Sequence, residues 1–162
     1  MTARFFADTN VAVYTLDADQ NKRRAAISVM RGHPVISVQV INEFLSVALG
    51  KMKLPRPTAS RLAQILMKQC EVSDLTVETV KMKLAQRFVC LLARWRERIE
   101  ERETGVPVRH AINLGERYQL SHWDAMIVAS ALHAGCDTLY SEDLQNGQVF
   151  EDRLKVDNPF AT

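Results

Sequence analysis

Short apolar runs bounded by turn-formers recur along the chain, and they read as strands of a parallel sheet buried on both faces. They are Phe5-Phe6-Ala7, Pro34-Val35-Ile36-Ser37, Thr138-Leu139-Tyr140-Ser141 and Leu154-Lys155-Val156-Asp157, with Cys70-Glu71-Val72 as a weaker fifth. Helical patterns separate them. Lys22-Arg23-Arg24 opens a helix through Met30, stopped by Gly32 and Pro34. Ser37 is placed to cap the next, over Val38 to Leu49. Thr58 to Gln69 is amphipathic through Leu62, Ile65 and Leu66. A long stripe through Val80, Leu84, Phe88, Leu91, Trp95 and Ile99 follows, flanked by basic residues from Lys81 to Arg102. Further helices are expected over Val108 to Tyr118 and from Ala125 to Gly135. Strands alternating with helices predict an α/β domain around a parallel sheet of four or five short strands.

Length and composition add bounds. A chain of 162 residues, 47% hydrophobic and 25% charged, suits one soluble globular domain. No uncharged run is long enough to span a bilayer and no signal-peptide pattern opens the chain, so a cytoplasmic protein without a membrane partner is expected. Cys70, Cys90 and Cys136 are widely spaced and read as small buried hydrophobes. A net charge of +2 permits a nucleic-acid partner without indicating one.

Four acids stand out by context. Asp8 and Asp143 each follow a short apolar strand. Glu43 is the one charge in its helix, on a narrow polar strip with Gln39, Ser46 and Gly50 that faces either water or a polar cavity. Asp124 opens an apolar helix. Each has a plainer reading: an Asx-turn for Asp8, a solvated face for Glu43, a capping box with Ser121 for Asp124, an ordinary polar turn for Asp143. Gathered together, four carboxylates would repel one another, and a hard divalent cation such as Mg²⁺ or Mn²⁺ relieves that repulsion with oxygen ligands.

Asp8-Thr9-Asn10, Ile41-Asn42-Glu43-Phe44, Ser121 through Ala129, and Leu139-Tyr140-Ser141-Glu142-Asp143-Leu144-Gln145 stand in the order and context of PIN-domain nucleases. The chain resembles the VapC-type ribonuclease toxins of type II toxin–antitoxin systems over almost its whole length. That resemblance implies a three-layer α/β/α fold and a single PIN domain over 1–162; the stretch around 79–106 departs from the usual compact toxin and reads either as an ordinary helix packing its stripe on the core or as a family-atypical insert that contacts a partner or RNA. The resemblance implies that Asp8, Glu43, Asp124 and Asp143 match the acidic quartet that binds Mg²⁺ or Mn²⁺, with Asn10 and Ser141 supporting it and Glu142 competing for the fourth place. It also implies an RNA substrate cut to leave a 5′-phosphate, a cognate antitoxin protein and a homodimer. An acidic pocket repels RNA, so positive charge must guide the backbone; Lys51, Lys53 and Arg56, then Arg94 and Arg98, are the candidates. The rival readings are a catalytically silent PIN-like binding module and a non-toxin nuclease. A phosphatase is disfavoured because Asn10 stands where a second acid would be needed, and no glycine-rich loop follows the first strand.

Overall fold

The computed structural model describes residues 4–73 and 106–161. Contacts divide the chain into two compact units, Met1–Asp74 with Ser130–Thr162, and Leu75–Ala129. The first unit holds the whole sheet. Its strands are β1 (Phe5–Ala7), β2 (Val35–Ser37), β3 (Glu71–Ser73), β4 (Thr138–Tyr140), β5 (Val149–Phe150) and β6 (Leu154–Asp157). Their order across the sheet is β3-β2-β1-β4-β6-β5, all parallel except β5 against β6.

That order places β1 in the middle, with later strands added first on one side and then on the other. The winding direction therefore switches between β1 and β4, and the crevice at the carboxyl ends of these two strands is where such sheets take ligands. β1 and β4 are bound in register from Phe5↔Thr138 to Ala7↔Tyr140, and Asp8 N–H extends the ladder to the Tyr140 carbonyl at 3.0 Å. Phe6, Ile36 and Leu139 are fully buried, as a sheet covered on both faces requires.

Five strands fall where the apolar runs predicted them; β5 is a sixth. Its two residues are too short for a periodic signal. The turn into β6 has Glu151 at φ 49° and Asp152 at φ 56°, closed by Arg153 N–H donating to Phe150 C=O at 3.1 Å. Two left-handed residues make the tight hairpin turn usually marked by Asn-Gly, and Glu-Asp carries no such signal.

The helices of the first unit are α1 (Thr9–Tyr14), α2 (Gln20–Arg31), α3 (Val38–Gly50) and α4 (Arg56–Gln69). The apolar stretch after Asp8 carried no predicted helix, yet Asp8 caps one: its Oδ1 accepts from Thr9 N–H at 2.5 Å. α2 begins two residues before Lys22 because Asp19 accepts from the Asn21 and Lys22 N–H groups. Ser37 caps α3, its Oγ accepting from Val40 N–H at 3.4 Å. α1 packs on α2 and α3, and α3 on α4, burying Val11, Val40 and Phe44.

The second unit contributes α5 (Val106–Tyr118) and the start of α6 (His122–His133), whose last residues belong to the first unit. Within it Gly115 lies against Ala125, where a side chain would meet the Ala125 methyl group at 3.7 Å. The basic helix expected over Lys81 to Arg102 lies outside the described residues, as do Cys90, Arg94 and Arg98. Cys70 and Cys136 are buried free thiols, each pushed up to about 11 by burial. Among the described residues no helix is long and apolar enough to cross a membrane.

Candidate active site

Asp8 leaves β1 at the switch point with only 6% of its surface exposed. Ser141, the residue after β4, is fully buried and donates from Oγ to Asp8 Oδ2 at 2.7 Å. The same hydroxyl oxygen accepts from Asp143 N–H at 3.2 Å, which folds the turn after β4 back toward β1. Asn10, on the first turn of α1, aims its amide nitrogen into this cluster. Nδ2 lies 3.5 Å from Asp8 Oδ2, 3.4 Å from Ser141 Oγ and 3.2 Å from Asp143 Oδ2. The amide orientation follows from the chemistry: rotated by half a turn, its oxygen would face two carboxylates.

Glu43 joins through α1 and its own helix. Thr9 Oγ1 donates to Glu43 Oε2 at 2.7 Å, and Gln39 Nε2, one turn earlier on α3, donates to Oε1 at 3.0 Å. The polar strip of α3 thus turns at Glu43 toward other protein groups rather than only toward water. Thr9 had no signal in the sequence beyond its place beside Asp8. Gln39 was visible as the i−4 neighbour of Glu43 on the strip.

The electrostatics fit a site that wants a cation. Burial raises the Asp8 carboxyl to about 6, opposed by the Ser141 and Thr9 hydrogen bonds and reinforced by the negative charges of Asp143 and Glu43. Asn10 Oδ1 is buried and accepts no hydrogen bond. The carboxylates of Asp8, Glu43 and Asp143 are hard oxygen donors, the kind Mg²⁺ and Mn²⁺ prefer. Among the described residues no three acidic, His or Cys side chains are gathered tightly enough to hold an ion unaided. The amide and hydroxyl groups of Asn10, Ser141 and Thr9 therefore complete the links between the acids.

The other expected residues fall as follows. Glu142 is engaged away from Asn10: its Oε1 accepts from Lys22 Nζ at 2.7 Å, and the Lys22 and Tyr14 hydrogen bonds hold its carboxyl below the usual range. Asp143, not Glu142, is the acid of this turn that meets Asn10. Asp124 belongs to the second unit, where the capping box forms: Ser121 Oγ accepts from Asp124 N–H at 3.2 Å and donates to its Oδ2 at 2.7 Å. Lys51 and Lys53 are exposed in the loop leaving the far end of α3, and Arg56 is exposed at the start of α4. Lys51 lies two helical turns beyond Glu43, about 12 Å along the axis. An apolar cleft of about 400 Å³ between α2 and α4, lined by Ile27, Met30, Phe44, Leu62, Ile65 and Leu66 among others, contains none of the acids.

Comparison with known proteins agrees with the fold. No curated protein matches the chain. Among solved structures the chain is similar to Mycobacterium tuberculosis VapC20, a toxin described as cleaving the sarcin-ricin loop. The identity is 18%, the match covers 86% of this chain and 89% of that one, and the TM-score is 0.50. At that identity the likeness concerns the fold. The PIN domain family model matches residues 5–87, a span that contains Asp8, Thr9, Asn10, Gln39 and Glu43. A match over that half of the chain, spanning β1 to β3 and α1 to α4, means that the protein belongs to the PIN domain family.

Proposed function

We propose that this chain is a VapC-type endoribonuclease dependent on Mg²⁺ or Mn²⁺, and the toxin member of a toxin–antitoxin pair. The observation that carries the reading is the network at the switch point: Asp8, Glu43 and Asp143 held by Ser141, Thr9, Gln39 and Asn10, with Asn10 Oδ1 left unpaired. Membership of the PIN family supports nuclease chemistry, and the fold shared with VapC20 supports the toxin assignment. The residues proposed to hold the ion are Asp8, Glu43, Asp124 and Asp143. A bound divalent cation lowers the pKa of water and neutralises charge on a scissile phosphate. Ser141 fixes one oxygen of Asp8, Thr9 and Gln39 hold both oxygens of Glu43, and Asn10 spans Asp8 and Asp143. The carboxylates are thus oriented before substrate arrives, so no reorganisation is needed at the moment of reaction.

RNA is the proposed substrate, and a cognate antitoxin and a second copy of the chain are the proposed partners. Guidance by Lys51, Lys53 and Arg56 requires a substrate that reaches from the switch point along α3, as a folded RNA hairpin does. Arg94 and Arg98, outside the described residues, are the remaining proposed guides for the RNA backbone.

Wild type and Asp124→Asn are to be compared on a panel of structured RNAs and on single-stranded DNA of the same sequences. Cleavage of an RNA but not of its DNA counterpart is expected, with turnover reduced more than about tenfold in the variant. Even the outer partners of metal ligands usually cost about that much. Equal turnover by a folded Asp124→Asn variant would remove Asp124 from the site. Metal uptake without cleavage of any RNA would favour the silent binding module.

A further inference from the structure

The turn after β4 carries two acids with different partners. Asp143 meets Asn10, and Glu142 meets Lys22 from α2. Lys22 Nζ also donates to the Tyr14 hydroxyl at 3.4 Å and stands 4.4 Å from the centre of the Tyr14 ring. Tyr14 and Glu142 thus share the Lys22 ammonium as their common partner. Phe160 meets the Tyr14 ring edge-on, with ring centres 4.9 Å apart. Asn10 and Tyr14 are four residues apart on α1, so they share one face and are separated by about 6 Å along the axis. α1 therefore meets the turn directly through Asn10 and Asp143, and one helical turn further on through Lys22 of α2, which joins Tyr14 to Glu142.

We infer that Lys22 is a positioning residue for Asp143, acting through Glu142 and Tyr14. The inference rests on the reading of Asp143 as a metal-holding carboxylate. Asp143 has the greatest need of such an anchor. It is exposed and lies outside any strand, whereas Asp8 is buried at the end of a paired strand and Glu43 sits within α3. A carboxylate on an irregular turn is placed only as well as its backbone is placed. The neighbouring Glu142 side chain, at 29% exposure and bonded to Lys22 of α2, supplies that constraint. The bridge leaves Asp143 free to face the cation while fixing the residue before it. Groups that orient ligands in this way commonly change metal affinity or activity by about 10–100-fold when removed.

The test uses the full chain as wild type, Lys22→Met, Lys22→Arg and Glu142→Gln. Mn²⁺ uptake is measured by calorimetry without RNA, and kcat and KM are measured on a cleaved RNA. Amide exchange is followed over residues 141–147. Lys22→Met and Glu142→Gln are each expected to weaken Mn²⁺ binding and lower kcat by about tenfold, with KM unchanged and faster exchange in the turn. Lys22→Arg, which keeps the charge, is expected to recover most of the loss. Unchanged Mn²⁺ affinity and exchange in Lys22→Met would overturn the inference. So would a raised KM with unchanged kcat, which would make Lys22 a direct contact to the RNA backbone. If the wild type takes up Mn²⁺ no better than Asp143→Asn, the metal reading of Asp143 fails. Amide exchange still reports separately whether Lys22 holds the turn.

Discussion

Asp8→Asn is expected to abolish RNA cleavage and, in EDTA at pH 7.5, to make the protein more stable than the wild type. The two effects have one cause. Burial raises the Asp8 carboxyl from 3.8 to about 6. A folded-state value above the unfolded one contributes stability that is fully present below about pH 4 and is lost as pH rises through 6. Above pH 6 the ionised, mostly buried carboxylate therefore works against the fold. A rise of that size corresponds to about 3 kcal/mol, a ceiling because relaxation and water entry reduce it. Asparagine is neutral at every pH; its single oxygen keeps the Ser141 hydrogen bond and gives up the one from Thr9 N–H, which offsets part of the gain. Urea unfolding in EDTA is expected to show a gain of about 2 kcal/mol for Asp8→Asn at pH 7.5 and none at pH 4. Cleavage is expected to fall at least about a hundredfold, because removing a ligand costs no less than removing the groups that orient it. A variant less stable than wild type at pH 7.5 would show that Asp8 carries its charge without penalty.

Asn10→Asp is expected to do the opposite to stability. The amide nitrogen that approaches Asp8, Ser141 and Asp143 becomes an oxygen, and a donor shared by two carboxylates becomes a third negative charge. Replacing a donor by a like charge in a partly buried site costs about 1–3 kcal/mol. In a chain of this size that is a fall of roughly 3–10 °C in melting temperature in EDTA at pH 8. The loss is expected to close on adding Mn²⁺, which attracts the new carboxylate, and to shrink below pH 5, where Asp8 is protonated. Thermal melts in EDTA and in Mn²⁺ at both pH values check this. An unchanged melting temperature in EDTA would show that Asn10 Nδ2 is not needed to hold the acids together.

Much of this site is legible in the sequence because it is built where strands end. Phe5-Phe6-Ala7 has no alternative to burial, so the acid that follows it must stand at the sheet's carboxyl edge. Ser37 announces α3, and the single charge on that apolar helix marks Glu43. The plain and functional readings of Asp8 proved compatible: it caps α1 and sits in the carboxylate network through different oxygens. The Asx-turn signal therefore carried no information against a site. α1 was missed because a six-residue helix has too few turns to show a period. Thr9 and the Lys22 bridge between Tyr14 and Glu142 were missed because they depend on which strand lies beside β1. Tertiary neighbours of that kind leave no trace in local spacing. The basic loop of Lys51, Lys53 and Arg56 shows the limit in the other direction. Its closeness to Glu43 along the chain becomes two helical turns of separation in space.

The switch-point carboxylates are proposed to work through a divalent cation to cleave RNA. The most direct test incubates purified protein with structured RNAs in Mg²⁺, in Mn²⁺ and in EDTA, beside Asp8→Asn. Defined cuts leaving 5′-phosphates in either metal, absent in EDTA and in the variant, are the predicted result. Equal cleavage of RNA in EDTA, or by Asp8→Asn, would contradict it.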